Sequence, residues 1–248
     1  LANEQVLADG TSERSGALVE QKALKQWFFK ITDYAEELLS FNGIDWPSKT
    51  MAMQKNWIGR SSGAEILFNV ESTEVSIRVY TTRPDTLYGA SYLVLSPEHD
   101  LLQKITKHEN VKSVDDYCKE AQRKNELERT DLNKDKSGVF TGSYAINPIN
   151  GEKIQIWIAD YVLSTYGTGA IMAVPGHDER DYEFAKKYNL EVIKVVECED
   201  DEIPFTGTGI IINSELINGL NVEAAKQKII SFLEENNFGT SKINYKLK

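Results

Sequence analysis

The sequence predicts a mixed α+β fold in which strands form the centre and helices pack around them. Two patterns of apolar residues support this prediction. In residues 64–80 the repeat is every second residue, as in strands that bury one face, and its members are Ile66, Phe68, Val70, Val75, Ile77 and Val79. Near the C-terminus the repeat is every three or four residues, as in a helix with one apolar face, and its members are Val222, Ala225, Ile229, Phe232 and Leu233.

The N-terminal part predicts one long amphipathic helix over residues 20–40. Its apolar residues recur at steps of three and four, and they are Leu24, Trp27, Phe28, Ile31, Tyr34, Ala35 and Leu38. Residues 42–47 predict a turn, because glycine and proline interrupt the pattern and the residue before a proline avoids the helical conformation.

The central part predicts a hairpin whose turn is residues 71–74, followed by several short strands. The further strands are predicted at residues 92–95, 154–158, 170–174, 190–196 and 209–212. A polar stretch at 114–129 predicts an exposed helix. A second helix is predicted at 222–235, with Asn221 as the residue that caps its first turn.

The composition argues against some classes of protein. The 248 residues are 41% hydrophobic, which is enough for one substantial core. The net charge is −10, from 28 Lys and Arg against 38 Asp and Glu, and this disfavours a surface that binds nucleic acid everywhere, because phosphate contacts depend on cations. A few local cations could instead contact only the end of an RNA, although each of them alone is also typical of an ordinary solvated surface. These cations are Arg60, Arg83, Lys186 and Lys187.

Hydropathy and cysteine spacing predict a cytoplasmic protein without a membrane partner. No run approaches the roughly 20 apolar residues that cross a bilayer. Cys118 and Cys198 have neither metal-like nor disulfide-like spacing, so reduced thiols are expected. The chain has no Gly-x-Ser-x-Gly, His-Glu-x-x-His or P-loop motif, and its two Gly-Thr-Gly turns at 167–169 and 207–209 lack the third glycine of a dinucleotide fingerprint.

Two polar stretches predict a hydrolytic pocket. Residues 80–89 place three threonine hydroxyls, a guanidinium and a carboxylate directly after a strand. Residues 166–185 contain His177, Asp178 and Asp181 where a helix is predicted to begin. At that position one carboxylate caps free backbone N–H groups and the other complements the positive helix end, where it is expected to stay ionised at neutral pH. The same three side chains are also suitable metal ligands.

These two stretches resemble the editing domain that is inserted into bacterial-type leucyl-tRNA synthetases as connective polypeptide 1. Asp85, between Pro84 and Thr86, and the run from His177 to Tyr182 favour the leucine enzymes over the isoleucine and valine enzymes. The resemblance covers nearly the whole chain. It implies a β-barrel-like core at 60–238, an N-terminal tether at 1–59 and a C-terminal return tether at 239–248.

The resemblance also implies roles for individual residues. Asp181 would hold the α-ammonium of the mischarged amino acid, Thr81 and Thr82 would lie near the attacking water, and Thr86 would obstruct the leucine side chain. Asp178 is expected to cap the helix or to support the pocket. Further substrate-binding residues are expected at Arg83, which would contact the RNA end, and at Asp85, Tyr166, Gly169, Met172, Val174 and His177. Without the resemblance, the pattern has a purely structural interpretation. The threonines are then β-branched residues at the end of a strand, and residues 170–174 are a strand of the hydrophobic core.

The function implied is hydrolysis of the ester that joins isoleucine, methionine or norvaline to leucine tRNA, with exclusion of leucine. The expected partners are the tRNA 3′ end, the mischarged amino acid and the rest of the synthetase. No covalent intermediate, metal or other cofactor is expected for editing, and ATP and magnesium would serve only the absent synthetic part. Zinc is not expected, because residues 9–16 lack the cysteines of the family's zinc module. Three alternatives stay open: a non-catalytic module that binds the RNA end, an editing domain of the valyl or isoleucyl type, and a metal-dependent hydrolase.

Overall fold

A computed structural model shows the α+β fold that the sequence predicts, as one mixed sheet with helices packed around it. The structure describes residues 5–7, 9–20, 25–122, 124, 128–129, 136–164, 167–198 and 202–247. The strands are β1 (Arg60–Val70), β2 (Ser76–Thr81), β3 (Tyr92–Leu95), β4 (Gly138–Ile146), β5 (Lys153–Ala159), β6 (Ala170–Ala173) and β7 (Gly239–Tyr245). The helices are α1 (Ser48–Ile58), α2 (Leu102–Ile105), α3 (Val111–Ala121), α4 (Glu179–Tyr188) and α5 (Val222–Glu235).

Short 3-10 turns join these elements. They lie at Ile31–Tyr34, Glu37–Leu39, Pro84–Gly89, His108–Asn110 and Glu215–Ile217. None of the helices in the described part of the chain is long and apolar enough to cross a membrane.

The sheet is open, with the strand order β2-β1-β4-β5-β3-β6, and β7 pairs with β1 beside this path. The paired strands are antiparallel except for β3 and β5, which are parallel. Strands β2 and β6 contact each other without forming a ladder. The expected barrel-like core is therefore a curved but unclosed sheet.

The predicted hairpin is confirmed with the predicted faces. Ile66 lies opposite Val79 and Phe68 lies opposite Ile77, and all four side chains are buried. Because side chains in a strand alternate between the two faces, this register places every apolar member of the pattern on one side of the sheet.

Apolar residues form two clusters that the strands share by the same alternation. Leu93 and Leu95 of β3 join a large cluster with β1, β2 and α5. Tyr92 and Val94 point the other way, into a smaller aromatic cluster that α4 covers with Phe184. The beginning of α4 is thereby fixed against β3, and this placement builds the site described below.

The predicted helix over residues 20–40 is wrong in the part that the structure describes. Residues 25–30 have no regular structure, and only the two short 3-10 turns follow. Two aromatic side chains of the predicted stripe, Trp27 and Phe28, are exposed, and so is the next residue, Phe29. Isolated amphipathic helices are stabilised mainly by packing, and among the described members of this stripe only Ala35 is buried. Leu24 lies outside the described residues.

Other differences concern weaker patterns. The sequence did not predict α1 or β4, because α1 has little apolar periodicity and β4 contains two glycines. The predicted strands at 190–196 and 209–212 contribute only isolated bridges such as Val196 with Ile211. Helix α3 begins earlier than predicted and ends at Ala121, while residues 128–129, at the end of the predicted helix, are again helical. Helix α5 is confirmed, with the Asn221 side chain accepting from the Ala224 N–H.

The segment after 238 is built into the sheet. Strand β7 pairs along the first half of β1, from Arg60 with Tyr245 to Ile66 with Gly239. The backbone N–H of Lys246 also donates to the carbonyl of Ile58 at the end of α1. The division into tethers and core remains a prediction, while the two proposed tether ends lie side by side.

Candidate functional site

The two polar stretches meet where β2 ends and α4 begins. Strand β2 contacts β6, and β6 pairs with β3 so that Ala173 lies opposite Tyr92. A side chain at Gly167 would lie 3.6 Å from Cβ of Tyr80, the residue before the first threonine. The first stretch is therefore adjacent to the second, as the prediction of one pocket requires.

The threonine loop is held by hydrogen bonds within itself. The Thr81 hydroxyl accepts from the Arg83 N–H at 3.0 Å. The Thr86 hydroxyl donates to the Arg83 carbonyl at 2.9 Å, and the Thr86 N–H donates to the same oxygen at 3.1 Å. Thr86 is buried, Thr81 is half-buried and Thr82 is exposed. Of the predicted catalytic threonines, Thr82 thus presents its side chain most openly to solvent.

Arg83 forms an ion pair with Asp85 inside the same loop. Its Nε lies 3.1 and 3.0 Å from the two carboxylate oxygens, and its Nη2 lies 2.8 Å from Oδ2. Asp85 is completely buried, whereas the Arg83 side chain is 28% exposed. A two-pronged pair of this kind is strong and geometrically specific. This pair occupies one edge of the guanidinium, the group that the family resemblance expects to contact the RNA end.

Asp178 caps α4 as predicted. Its Oδ1 accepts from the backbone N–H of Arg180 at 2.9 Å and of Asp181 at 3.1 Å. The helix ends at Asn189 in the left-handed conformation, with φ of 53°. The capping carboxylate acts as the sequence indicates, and asparagine is a residue that commonly ends a helix in this conformation.

Asp181 is the buried carboxylate of the site, only 5% exposed. Its Oδ2 accepts from the Val174 N–H at 2.9 Å, and its backbone carbonyl accepts from the Tyr92 hydroxyl at 2.8 Å. No cation pairs with it in the described part of the chain, since the Arg180 guanidinium lies instead 3.3 Å from Asp178.

The protonation of Asp181 differs from the expectation. Burial, with the nearby Asp178 charge, raises the pKa of the Asp181 carboxyl to about 8, although the Val174 N–H and the Arg180 charge oppose the shift. The expectation that this carboxylate stays ionised at neutral pH is therefore wrong. Desolvation outweighs the favourable helix end, because the carboxyl is removed from water.

His177 holds the turn before α4. Its Nδ1 lies 2.8 Å from the Phe205 carbonyl, and its Nε2 accepts from the N–H groups of Val195 and Val196 at 2.9 and 3.1 Å. Burial lowers the pKa of the imidazole, which favours the neutral ring that this arrangement needs. Both ring nitrogens bind backbone of the chain itself, so His177 positions the turn rather than presenting a free nitrogen.

The residues predicted to form the pocket wall lie in different surroundings. Met172 and Val174 are buried in the large apolar cluster, as the plain-core interpretation has it. Gly169 lies in a tight turn with φ of 71°, and its carbonyl accepts from the Ser96 N–H. Tyr166 lies outside the described residues.

A match to a known family model shows which family the chain belongs to. The family model for the editing domain of leucyl-tRNA synthetase matches residues 55–234, more than half of the chain. The chain belongs to this editing-domain family. The match begins inside α1 and ends near the end of α5, so it includes the threonine loop and the Asp181 turn.

A solved structure of this family's parent enzyme is similar over the full length of the chain. It is a crystal structure of the ternary complex of Agrobacterium radiobacter K84 agnB2 LeuRS with tRNA and LeuAMS, with 37% sequence identity and a TM-score of 0.76. The match covers 100% of this chain and 28% of that one. The editing-domain chain thus spans little more than a quarter of the length of this relative.

Two residues that support the site were not predicted. A side chain at Gly63 of β1 would come within 2.0 Å of the Thr81 carbonyl, so only glycine allows this approach. A glycine inside a strand was the available signal. Asn147 is fully buried and donates to the Leu87 carbonyl at 3.0 Å, which fixes the end of the loop; nothing in the sequence pattern marks it.

The remaining predicted cations have partners of their own. Arg60 pairs with Glu36 at 2.7 Å, Lys187 donates to the Lys136 carbonyl, and Lys186 lies over the Tyr182 ring. Residues that the structure describes include no group of three or more His, Cys, Asp or Glu side chains suited to a metal ion.

Proposed function

We propose that this chain carries a deacylation site that hydrolyses the ester of a wrong amino acid on leucine tRNA. Membership of the editing-domain family supports this, and one observation carries it. Asp181 is a buried carboxyl without a cationic partner among the described residues. Val174, whose N–H binds this carboxyl, lies against Gly89 at the end of the hydroxyl-rich loop, where an added Cβ would be 3.1 Å from the Val174 side chain. An aminoacyl ester offers what this arrangement lacks, an ammonium group next to a reactive carbonyl.

Ammonium recognition is assigned to Asp181. The Val174 N–H orients one carboxylate oxygen, and the other accepts from the ligand. A charge-assisted hydrogen bond of this kind is about twice as strong as a neutral one. Because a nearby positive charge favours the ionised carboxylate, ligand binding displaces the carboxyl proton to solvent.

Water attack is assigned to the threonine loop. The Thr81 oxygen accepts from the Arg83 N–H, which leaves its O–H to donate to a water or to the developing oxyanion. The water oxygen bonds to the ester carbon, the bond from that carbon to the ribose oxygen breaks, and the ribose oxygen takes up the proton that the water loses. Holding the water and stabilising the oxyanion are sufficient tasks for an activated ester, and no covalent intermediate is required.

Selectivity against leucine is assigned to Thr86. Its buried side chain is fixed by the bond to the Arg83 carbonyl, so it does not move aside easily. One methyl group contributes only about 1–3 kcal/mol of discrimination by attraction. A fixed obstacle discriminates by a clash, which explains how isoleucine, methionine and norvaline would be accepted while leucine is refused.

The partners proposed are the 3′ end of leucine tRNA and the rest of a leucyl-tRNA synthetase, acting in the cytoplasm. The negative net charge fits a domain that contacts only the end of the RNA. No cofactor is proposed for this hydrolysis.

The test is hydrolysis of isoleucyl-tRNA and leucyl-tRNA, both made on leucine tRNA, by this chain at high concentration. We expect selective loss of the isoleucyl ester, and a fall of about 100-fold or more in Asp181→Asn, which keeps the size of the side chain but not its charge. Asp116→Asn is the matched control, because it makes the same change at an exposed carboxylate of α3, outside both polar stretches. Binding of the isoleucyl-tRNA without turnover contradicts the proposal and favours a non-catalytic module.

A further inference from the structure

Tyr161 follows β5 and lies beside the Asp181 carboxyl. Its side chain is 6% exposed, and its ring packs against Phe184 of α4 with centroids 6.0 Å apart. Its hydroxyl is buried and has no hydrogen-bond partner of regular geometry among the described residues. The same hydroxyl is close enough to Asp181 to lower the pKa of that carboxyl.

The neighbouring hydroxyl of Tyr92 is engaged differently. It donates to the backbone carbonyl of Asp181 and therefore fixes the helix rather than the carboxyl. The carboxyl has one donor in the described part of the chain, the Val174 N–H on Oδ2. Tyr161 supplies the only other tyrosine hydroxyl that acts on Asp181 in that part of the chain.

Buried hydroxyl groups that lack a partner lose hydration without compensation. The loss is recovered when a charged acceptor turns toward the hydroxyl. Ionised Asp181 is such an acceptor, and the proposed ligand ammonium is what ionises it. The Tyr161 hydroxyl, which lacks an acceptor, and the Asp181 carboxylate, which has one donor among the described residues, can therefore form a hydrogen bond with each other in the ligand-bound state.

We propose that Tyr161 is a positioning residue, which donates its hydroxyl hydrogen bond to the Asp181 carboxylate and so orients it toward the ammonium of the ligand. This inference rests on the proposed function for the identity of the ligand. The groups that shift the pKa of Asp181 are Asp178 and Arg180 from α4, the Val174 N–H, and Tyr161. Among these, only Tyr161 combines burial, an unused donor and reach to the carboxyl.

The first experiment does not depend on catalysis. The carboxyl carbon of Asp181 is titrated by NMR in the unaltered chain, in Tyr161→Phe and in Tyr188→Phe. Tyr188 stacks on the same Phe184 at 4.6 Å, but its hydroxyl accepts from the Gly138 N–H, so this variant controls for loss of a tyrosine hydroxyl from the aromatic cluster. We expect Tyr161→Phe to raise the titration midpoint of Asp181 by about one pH unit and Tyr188→Phe to leave it in place. An unchanged midpoint in Tyr161→Phe overturns the proposal.

The second experiment separates positioning from general support of the fold. Hydrolysis of isoleucyl-tRNA is compared with hydrolysis of the tRNA ester of the corresponding 2-hydroxy acid, which has no ammonium. We expect Tyr161→Phe to slow the isoleucyl reaction about tenfold, chiefly through a higher KM, and to leave the hydroxy-acid reaction unchanged. Equal losses for both esters overturn the positioning role. If the unaltered chain hydrolyses neither ester, the proposed function fails, while the titration still decides the role of Tyr161.

Discussion

Two buried carboxylates, Asp85 and Asp181, lie in neighbouring parts of the molecule and are treated in opposite ways. Asp85 has no exposed surface, and the guanidinium of Arg83 donates hydrogen bonds to both of its carboxylate oxygens. Asp181 is almost as buried, yet it receives one backbone N–H and no cation from the described residues. The first charge is compensated within its own loop, two residues away, and the second is left for something else to compensate.

The difference separates a structural carboxylate from a binding carboxylate. A buried charge is costly unless it is paired. The Arg83 guanidinium compensates the Asp85 charge in the folded chain at all times and keeps the threonine loop in one conformation. At Asp181 the cost appears as a pKa of about 8, and it is relieved when a cationic ligand arrives.

Removing the cation from Asp85 has the largest expected effect. In Arg83→Met the Asp85 carboxylate is buried without a partner, and the free energy of unfolding should fall by about 3–5 kcal/mol. The measurement is urea unfolding at pH 7. Arg180→Met is the control, since its partner Asp178 lies at the surface and an exposed pair contributes about 1 kcal/mol or less.

A second variant tests the cause of that loss. Arg83→Met combined with Asp85→Leu removes both charges, and most of the lost stability should return. If the double variant is as unstable as Arg83→Met alone, the ion pair is not what holds the loop.

The stability that Asp181 contributes should depend on pH. The folded-state pKa of Asp181 is raised to about 8, whereas an unfolded Asp titrates near about 3.9. Between these values the unfolded state has lost a proton that the folded state keeps, so the stability that Asp181 contributes is complete below about pH 4 and is lost as the pH rises to about 8.

Asp181→Asn should remove this loss. At pH 8.5 we expect the variant to be more stable than the unaltered chain by up to a few kcal/mol, and at pH 4.5 the difference should largely vanish. Asp85→Asn is the matched comparison and should destabilise the chain, because it leaves Arg83 without its charge partner. Urea unfolding at the two pH values measures both, and a destabilised Asp181→Asn at pH 8.5 speaks against the assignment.

Changing Thr86 should alter selectivity while leaving Asp181 untouched. Thr86→Ala removes the proposed obstacle, and hydrolysis of leucyl-tRNA should rise about tenfold or more. Thr86→Ser keeps the hydroxyl that donates to the Arg83 carbonyl, and Thr86→Val keeps the bulk without that bond. These two variants distinguish the obstacle from the hydrogen bond, and unchanged rejection of leucine in Thr86→Ala refutes the role.

The smallest effect is expected at Asp178. Asp178→Ala removes the helix cap and should lower the free energy of unfolding by about 1 kcal/mol. Since the Asp178 charge also raises the pKa of Asp181, the variant should titrate Asp181 at a lower pH. NMR titration measures this shift, and Asp178→Asn should show it with the cap retained.

Strong local patterns made parts of the fold and site predictable. The hairpin and α5 follow from periods of two and of three to four, and the cap at Asp178 follows from its position before a helix. The helix predicted at 20–40 failed because an apolar stripe forms a stable helix only against a surface. The raised pKa of Asp181 was missed because the sequence places it at a favourable helix end but does not show that β3 and Tyr161 bury it. The Arg83 pair was missed for a similar reason, since the sequence does not show that Asp85 is enclosed.

The most direct measurement is the titration of Asp181 with and without a bound ammonium. A stable analogue that links isoleucine to the terminal adenosine through an amide provides the ammonium, and its N-acetylated form is the neutral control. We predict that the NMR titration midpoint of the Asp181 carboxyl falls from about 8 by about one to three pH units with the ammonium analogue. It should stay in place with the acetylated form. An unchanged midpoint with saturating ammonium analogue would contradict the assignment of Asp181 as the carboxylate that receives the ligand.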